Sequence, residues 1–142
     1  MGYMEEYRKW MESPALNDEE RAELAAIAQD EKEIQDRFFA PLSFGTAGLR
    51  GVLGTGLYRM NRFVVGAATQ GLANLIKSYG PRAMQRGVAI AYDCRIKSDE
   101  FAHLAASILA ANGIQVLEYE SLRPVPVLSF TVRAYRTLAG IM

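Results

Sequence analysis

Apolar residues recur at helical spacing through the first forty positions, then at strand and helix spacings that alternate to the end. Residues 4–11 read as a short helix, and Pro14 separates it from a longer one beginning after Asn17. Asn17 suits an N-cap, with Asp18, Glu19 and Glu20 in the first turn, where the helix dipole favours acid. Leu24, Ile27, Ala28 and Ile34 continue that helix as a narrow apolar stripe. Tyr7 and Trp10 are the expected anchors of this arm on the body of a larger protein.

From Leu42 the pattern changes. The stretch SFGTAGLRGVLGTG holds five glycines, too many for a helix interior, and is expected to be an extended segment and loop. Asn61 can cap a helix to about Tyr79 with Val64, Ala68, Leu72, Leu75 and Tyr79 on its inner face, stopped by Gly80 and Pro81. Residues 88–93 predict a buried strand. Ser98 is expected to cap a helix whose inner face carries Phe101, Leu104, Ala105, Ile108 and Asn112, ending at Gly113. Residues 114–119 predict a second strand, Pro124 and Pro126 open a helix to about Arg136, and residues 139–142 begin a last strand.

Strands separated by helices require crossover connections and a sheet covered on both faces. The expected fold is α/β: an N-terminal helical arm, 1–41, then a three-layer α/β/α domain, 42–142, with a mostly parallel or mixed sheet. Functional loops should gather at the carboxyl ends of the strands, after Asp93, Tyr119 and Met142.

Composition narrows the function classes. Half of the residues are hydrophobic and 23% charged, as in soluble globular domains. Sixteen basic residues balance sixteen acidic ones, so there is no electrostatic footprint for nucleic acid or an anionic membrane. The acid is concentrated in the arm, leaving the remainder mildly basic. With no membrane-length apolar run and no secretory leader pattern, the expectation is a cytoplasmic protein. Cys94, a lone cysteine, has no disulfide partner and suggests no metal cluster.

The segment FGTAGLRG, residues 44–51, carries the clearest candidate chemistry. Glycines 45, 48 and 51 let the backbone turn tightly and bring N–H groups close to an anion. Thr46 adds a hydroxyl, and Arg50 a guanidinium whose fork matches phosphate. The same residues also suit a plain glycine-rich turn with an exposed arginine, and no Gly-Lys-Ser/Thr follows to make a P-loop.

FGTAGLRG, then YRMNRFVVGAATQGLANLI, AYDCRIKSDEFAHLAASILAANGIQV and RPVPVLSFTVRAYRTLAGIM, in that order and spacing, resemble the N-terminal domain of the α-D-phosphohexomutase family. That family includes phosphoglucomutases, phosphomannomutases and a phosphopentomutase-like branch; the acidic arm points towards its phosphoglucomutase/phosphopentomutase-like side. The resemblance implies phosphoryl transfer between two sugar hydroxyls through a phosphoserine, with Mg²⁺ and a sugar 1,6-bisphosphate as cofactors of the full-length enzyme. It also implies that Arg50 is catalytic, supporting the transferring group electrostatically, and that Thr46 and Gly48 shape the phosphate loop. In the family, the strand matching residues 139–142 runs into the serine loop. None of the seven serines here lies in such a sequence, so the chain is expected to stop before that loop and to be inactive alone, with neither cofactor bound. No Asp-Gly-Asp cluster occurs, and no metal ligand is assigned.

Asp93 and Arg95 match the family's Tyr-Asp-Ser-Arg, with Cys94 at the serine position. The resemblance has them bracing the active-site loops, whereas a local Asp–Arg turn contact is the simpler reading. Cys94 is expected to be buried and inert, because no His or Lys adjoins it. His103 falls off the apolar face and is expected at the surface. The competing function is a free-standing, non-catalytic module that binds a phosphorylated ligand or a protein partner. A Rossmann-type nucleotide binder is disfavoured, since no G-x-G-x-x-G follows the strand at 88–93. Self-association is expected near residues 139–142 or along the helix carrying Phe130 and Val132.

Overall fold

The computed structural model describes residues 2–46 and 48–142. The chain divides into two compact units, Met1–Val64 and Val65–Met142.

The first unit opens with three helices, α1 (Tyr3–Met11), α2 (Asp18–Ala26) and α3 (Glu31–Phe38). Asn17 caps α2 through a reciprocal pair: its side chain accepts from the Glu20 N–H, and the Glu20 carboxylate accepts from its backbone. The expected single helix from Asn17 through Ile34 is two. Ile27 leaves helical geometry, and the Asp30 carboxylate accepts from the Glu33 N–H to start α3. Leu24 and Ile34 are buried as expected, but Ala28 falls in the break and is exposed. Tyr7 and Trp10 do anchor, but on the helices themselves: both rings meet Phe38 edge-on, and Tyr7 Oη donates to the Leu24 carbonyl at 3.0 Å. The core here is Tyr7, Leu16, Leu24, Ile34 and Phe38. Beyond it lie the short strands β1 (Phe44–Gly45) and β2 (Gly48–Leu49), paired antiparallel.

Helix α4 (Arg62–Ser78) starts where Asn61 Oδ1 accepts from the N–H groups of Phe63 and Val64. The second unit continues with α5 (Pro81–Arg86), β3 (Val88–Ile90), α6 (Ser98–Ala111), β4 (Val116–Glu118), α7 (Val125–Ala134) and β5 (Ala139–Ile141). The three strands form a parallel sheet in the order β4-β3-β5, with Val88 opposite both Val116 and Ala139. Residues 88–91 are fully buried, and their alternation splits them between two layers. Val88 and Ile90 pack among α4 and α6 residues, including Ile76, Ala105 and Leu109, while Ala89 and Ala91 meet Leu128 of α7. Helices thus cover both faces, as the α/β/α reading required.

Gly80 and Pro81 do follow the end of α4, which stops at Ser78, and Pro81 then opens α5, its missing N–H falling where no intrahelical bond is made. Three expectations are corrected. The buried face of α4 runs through Thr69, Ala73 and Ile76, while Leu75 and Tyr79 are exposed. Apolar residues surround most of that helix, so two neighbouring stripes fit the spacing. Thr69 can go inside because its hydroxyl donates to the Val65 carbonyl at 2.8 Å. On α6 the innermost residues are Ala102, Ala105, Ala106 and Leu109, small enough to bring the helix close to the sheet, with Phe101, Leu104 and Ile108 flanking half-buried. Ser98 is not the cap: Lys97 precedes the helix in a left-handed conformation, and Ser98 Oγ accepts instead from the Asp93 N–H.

Candidate functional site

The glycine-rich stretch folds as the β1–β2 hairpin and the loop that follows it. Phe44 pairs with Leu49 and Gly45 with Gly48, whose φ of 99° is cheap only for glycine. Thr46 lies in the turn and is exposed; Ala47 lies outside the described residues. Arg50 follows β2 directly. Its side chain is exposed and, among the described residues, has neither a hydrogen-bond nor an ion-pair partner. A guanidinium kept free beside a glycine turn keeps all five donors for a ligand.

The segment after Arg50 is held by a polar network that the sequence reading missed. Thr55 donates to Glu23 through both its hydroxyl, at 2.6 Å, and its backbone N–H. Arg37 bridges Glu23 and Glu33 and also donates to the Thr55 carbonyl at 3.1 Å. Arg59, only 6% exposed, pairs with Asp36 and Glu33. Arg62 pairs with Glu20. Burial alone would push the Glu23 carboxyl up, but the Thr55 and Arg37 hydrogen bonds, with the Arg37 charge, hold it below its ordinary value. Glu20, Glu23, Glu33 and Asp36 of the arm thus pair with Arg37, Arg59 and Arg62, while Arg50 has no partner among the described residues. The signal was present as arginines facing an acidic arm, but nothing in their spacing paired them.

Asp93 and Arg95 belong to the second unit. Both Asp93 oxygens accept from Arg95 Nε, at 3.0 and 2.9 Å, and Oδ1 also accepts from the Arg95 N–H. The Arg95 hydrogen bonds hold the Asp93 carboxyl below the usual carboxylate range. The contact is local, closing the turn after β3. Cys94, expected buried, is exposed within that turn, because the backbone leaves the sheet after Ala91. His103 is at the surface, 3.5 Å from Glu118. Near the carboxyl ends of β3 and β4 a cavity of about 420 Å³ is lined by Asp99, Glu100, Glu118 and Glu120 with Tyr92, His103 and Tyr119. Its charge is the wrong sign for a phosphate. Among the described residues no group of three or more His, Cys, Asp or Glu could hold a metal ion. Nor is any helix among them long and apolar enough to cross a membrane.

The profile of the family described as "Phosphoglucomutase/phosphomannomutase, alpha/beta/alpha domain I" matches residues 41–142. The chain is 41% identical over 105 residues to a phosphoglucomutase of Staphylococcus haemolyticus, covering 74% of this chain and 19% of that protein. It is 34% identical over 143 residues to a phosphopentomutase of Mus musculus, covering 96% of this chain and 23% of the relative. A probable phosphoribomutase of Schizosaccharomyces pombe is 35% identical over 115 residues, 81% of this chain and 20% of that protein. The chain spans about a fifth of the length of these curated relatives. No solved structure shows a significant match.

Proposed function

This chain belongs to the phosphoglucomutase/phosphomannomutase family as its α/β/α domain I, and from that premise we propose that it is the N-terminal part of a cytoplasmic sugar-phosphate mutase. The reaction moves a phosphoryl group between two hydroxyls of one sugar, as from glucose 1-phosphate to glucose 6-phosphate, through a phosphoserine and a sugar 1,6-bisphosphate. The relatives' names divide between glucose and pentose substrates, and glucose phosphate is the first to test.

The single observation that carries this reading is the exposed Arg50 on the glycine hairpin, without a partner among the described residues, in a unit where three of the five other arginines are bound to carboxylates. Phosphoryl transfer is catalysed chiefly by placing charge around the moving group. Arg50 supplies two parallel N–H donors to its oxygens, Thr46 a hydroxyl, and Gly48 a backbone without a side chain to obstruct approach. Asp93 and Arg95 keep the turn after β3 in shape. Mg²⁺ is the metal this family implies, but the described residues of this chain do not form a site for it. None is assigned to it, and no step is routed through it.

Arg50→Lys in the longer protein tests this assignment. Lysine keeps the charge and loses the fork, so kcat should fall about ten- to a thousandfold while KM changes much less. Kinetics close to those of the parent would reduce Arg50 to a surface residue.

A further inference from the structure

The larger concavity of the second unit lies at the amino ends of its strands, away from the carboxyl-end loops that carry chemistry in sheets of this kind. It measures about 910 Å³, and Gln115, Thr137 and Leu138, which immediately precede β4 and β5, contribute to its wall. Four arginines line it, Arg82 and Arg86 from α5, Arg133 from the last turn of α7 and Arg136 from just beyond it, and no Asp or Glu does. In a chain whose charges balance overall, this is a local concentration of one sign.

Part of that charge has an internal use. Arg86 donates to the carbonyls of Arg136 at 3.0 Å and Thr137 at 3.3 Å, in the connection from α7 to β5. Arg82, Arg133 and Arg136 have no acceptor among the described residues. The carboxyl ends of α5 and α7 carry roughly half a negative charge each at most. Four guanidinium charges outweigh that, leaving a net positive field of about three charges. Arg136 also sits at φ 54°, a left-handed position after a helix where glycine is cheapest. A cationic side chain is thus kept where backbone preference asks for none. Tyr135, 69% exposed, adds an aromatic face to the wall.

We propose that this concavity binds a small, multiply charged phosphate ester, separately from the Arg50 hairpin. Its volume, about 910 Å³, is enough to take a compact anion of small-molecule size, roughly 300–1,000 Å³ being usual for such sites. Several arginine forks with no competing carboxylate suit more than one phosphate group at once. Tyr135 can stack on a ring attached to them. The inference stands on this unit alone and does not depend on the mutase reading.

The test is an NMR titration of the ¹⁵N-labelled 142-residue chain with inorganic tripolyphosphate, with orthophosphate and hexaglutamate as comparisons. Tripolyphosphate should shift amides at 82–86, 115 and 133–138, more tightly than orthophosphate, and the affinity should weaken with added salt. Arg82→Gln with Arg133→Gln should weaken it about tenfold or more, as expected on losing charged hydrogen bonds. Both side chains are exposed, so an unchanged thermal midpoint verifies the fold. If that variant fails to fold, the location of the shifts in the parent chain still decides. No shifts at millimolar tripolyphosphate, shifts confined to 44–50, or equal affinity in the folded variant would overturn the proposal. Tighter binding of hexaglutamate at the same amides would overturn it in favour of an acidic protein segment.

Discussion

At the scale of single residues, Glu23 ties the loop after Arg50 to the helices of the first unit. Its carboxylate accepts from Thr55 and pairs with Arg37. The group is 38% exposed, so solvent screening limits the effect, and Glu23→Gln should cost on the order of 1 kcal/mol at neutral pH. The pH dependence follows from the direction of the shift. A carboxyl lowered from its ordinary 4.5 on folding stabilises fully above that value, and loses the contribution as pH falls through its lowered one. Urea denaturation of parent and variant should differ near neutrality and converge in acid, once the pH has fallen through the lowered value and the carboxyl is protonated. A difference that persists in acid would assign the effect to packing instead. Arg50 and Thr46 stood out in the sequence because glycine spacing marks a turn without any knowledge of tertiary partners. Glu23 and Arg37 did not, because their meeting with Thr55 depends on where two helices and a loop come to lie.

At the scale of elements, the helices whose ends carry polar signals were the legible ones. Asn17 with Glu20, and Asn61, announce their helices through side chains that reach the free N–H groups. The break between α2 and α3 was hidden because Leu24, Ile27 and Ile34 fit one continuous stripe equally well; Asp30 was the overlooked cap. The inner faces of α4 and α6 lie beside the expected stripes for a related reason, since apolar residues flank Thr69, Ala73 and Ile76 on one and Ala102, Ala106 and Leu109 on the other. The strands were found, but shorter than their apolar runs. Their closeness rests on Gly87, at φ 67°, whose added Cβ would lie 2.1 Å from the Gln115 carbonyl oxygen where β3 meets β4. Strain of an L-residue at positive φ and a clash of its Cβ with the facing backbone act together there, so Gly87→Ala should destabilise the second unit by more than about 2 kcal/mol. Thermal denaturation measures this, and a midpoint within a degree or so of the parent's would show that the two strands can move apart freely.

For the whole molecule, β4 and β5 are the open edges of a three-stranded sheet, and Val125 and Phe130 on α7 are 57% and 67% exposed. Open edges and apolar surface favour pairing between copies. The isolated 142-residue chain should therefore form dimers or larger species in sedimentation across a concentration series, and Phe130→Glu should shift it towards monomer. A strict monomer at high concentration would show that neither feature is an interface. The central proposal is that these residues are a phosphate-handling domain of a sugar-phosphate mutase and that none of the seven serines among them is the phosphoryl carrier. A coupled assay of the purified 142-residue chain, with glucose 1-phosphate, glucose 1,6-bisphosphate and Mg²⁺, tests it most directly. The account predicts no glucose 6-phosphate above the enzyme-free blank; sustained turnover, proportional to the amount of chain added, would contradict it.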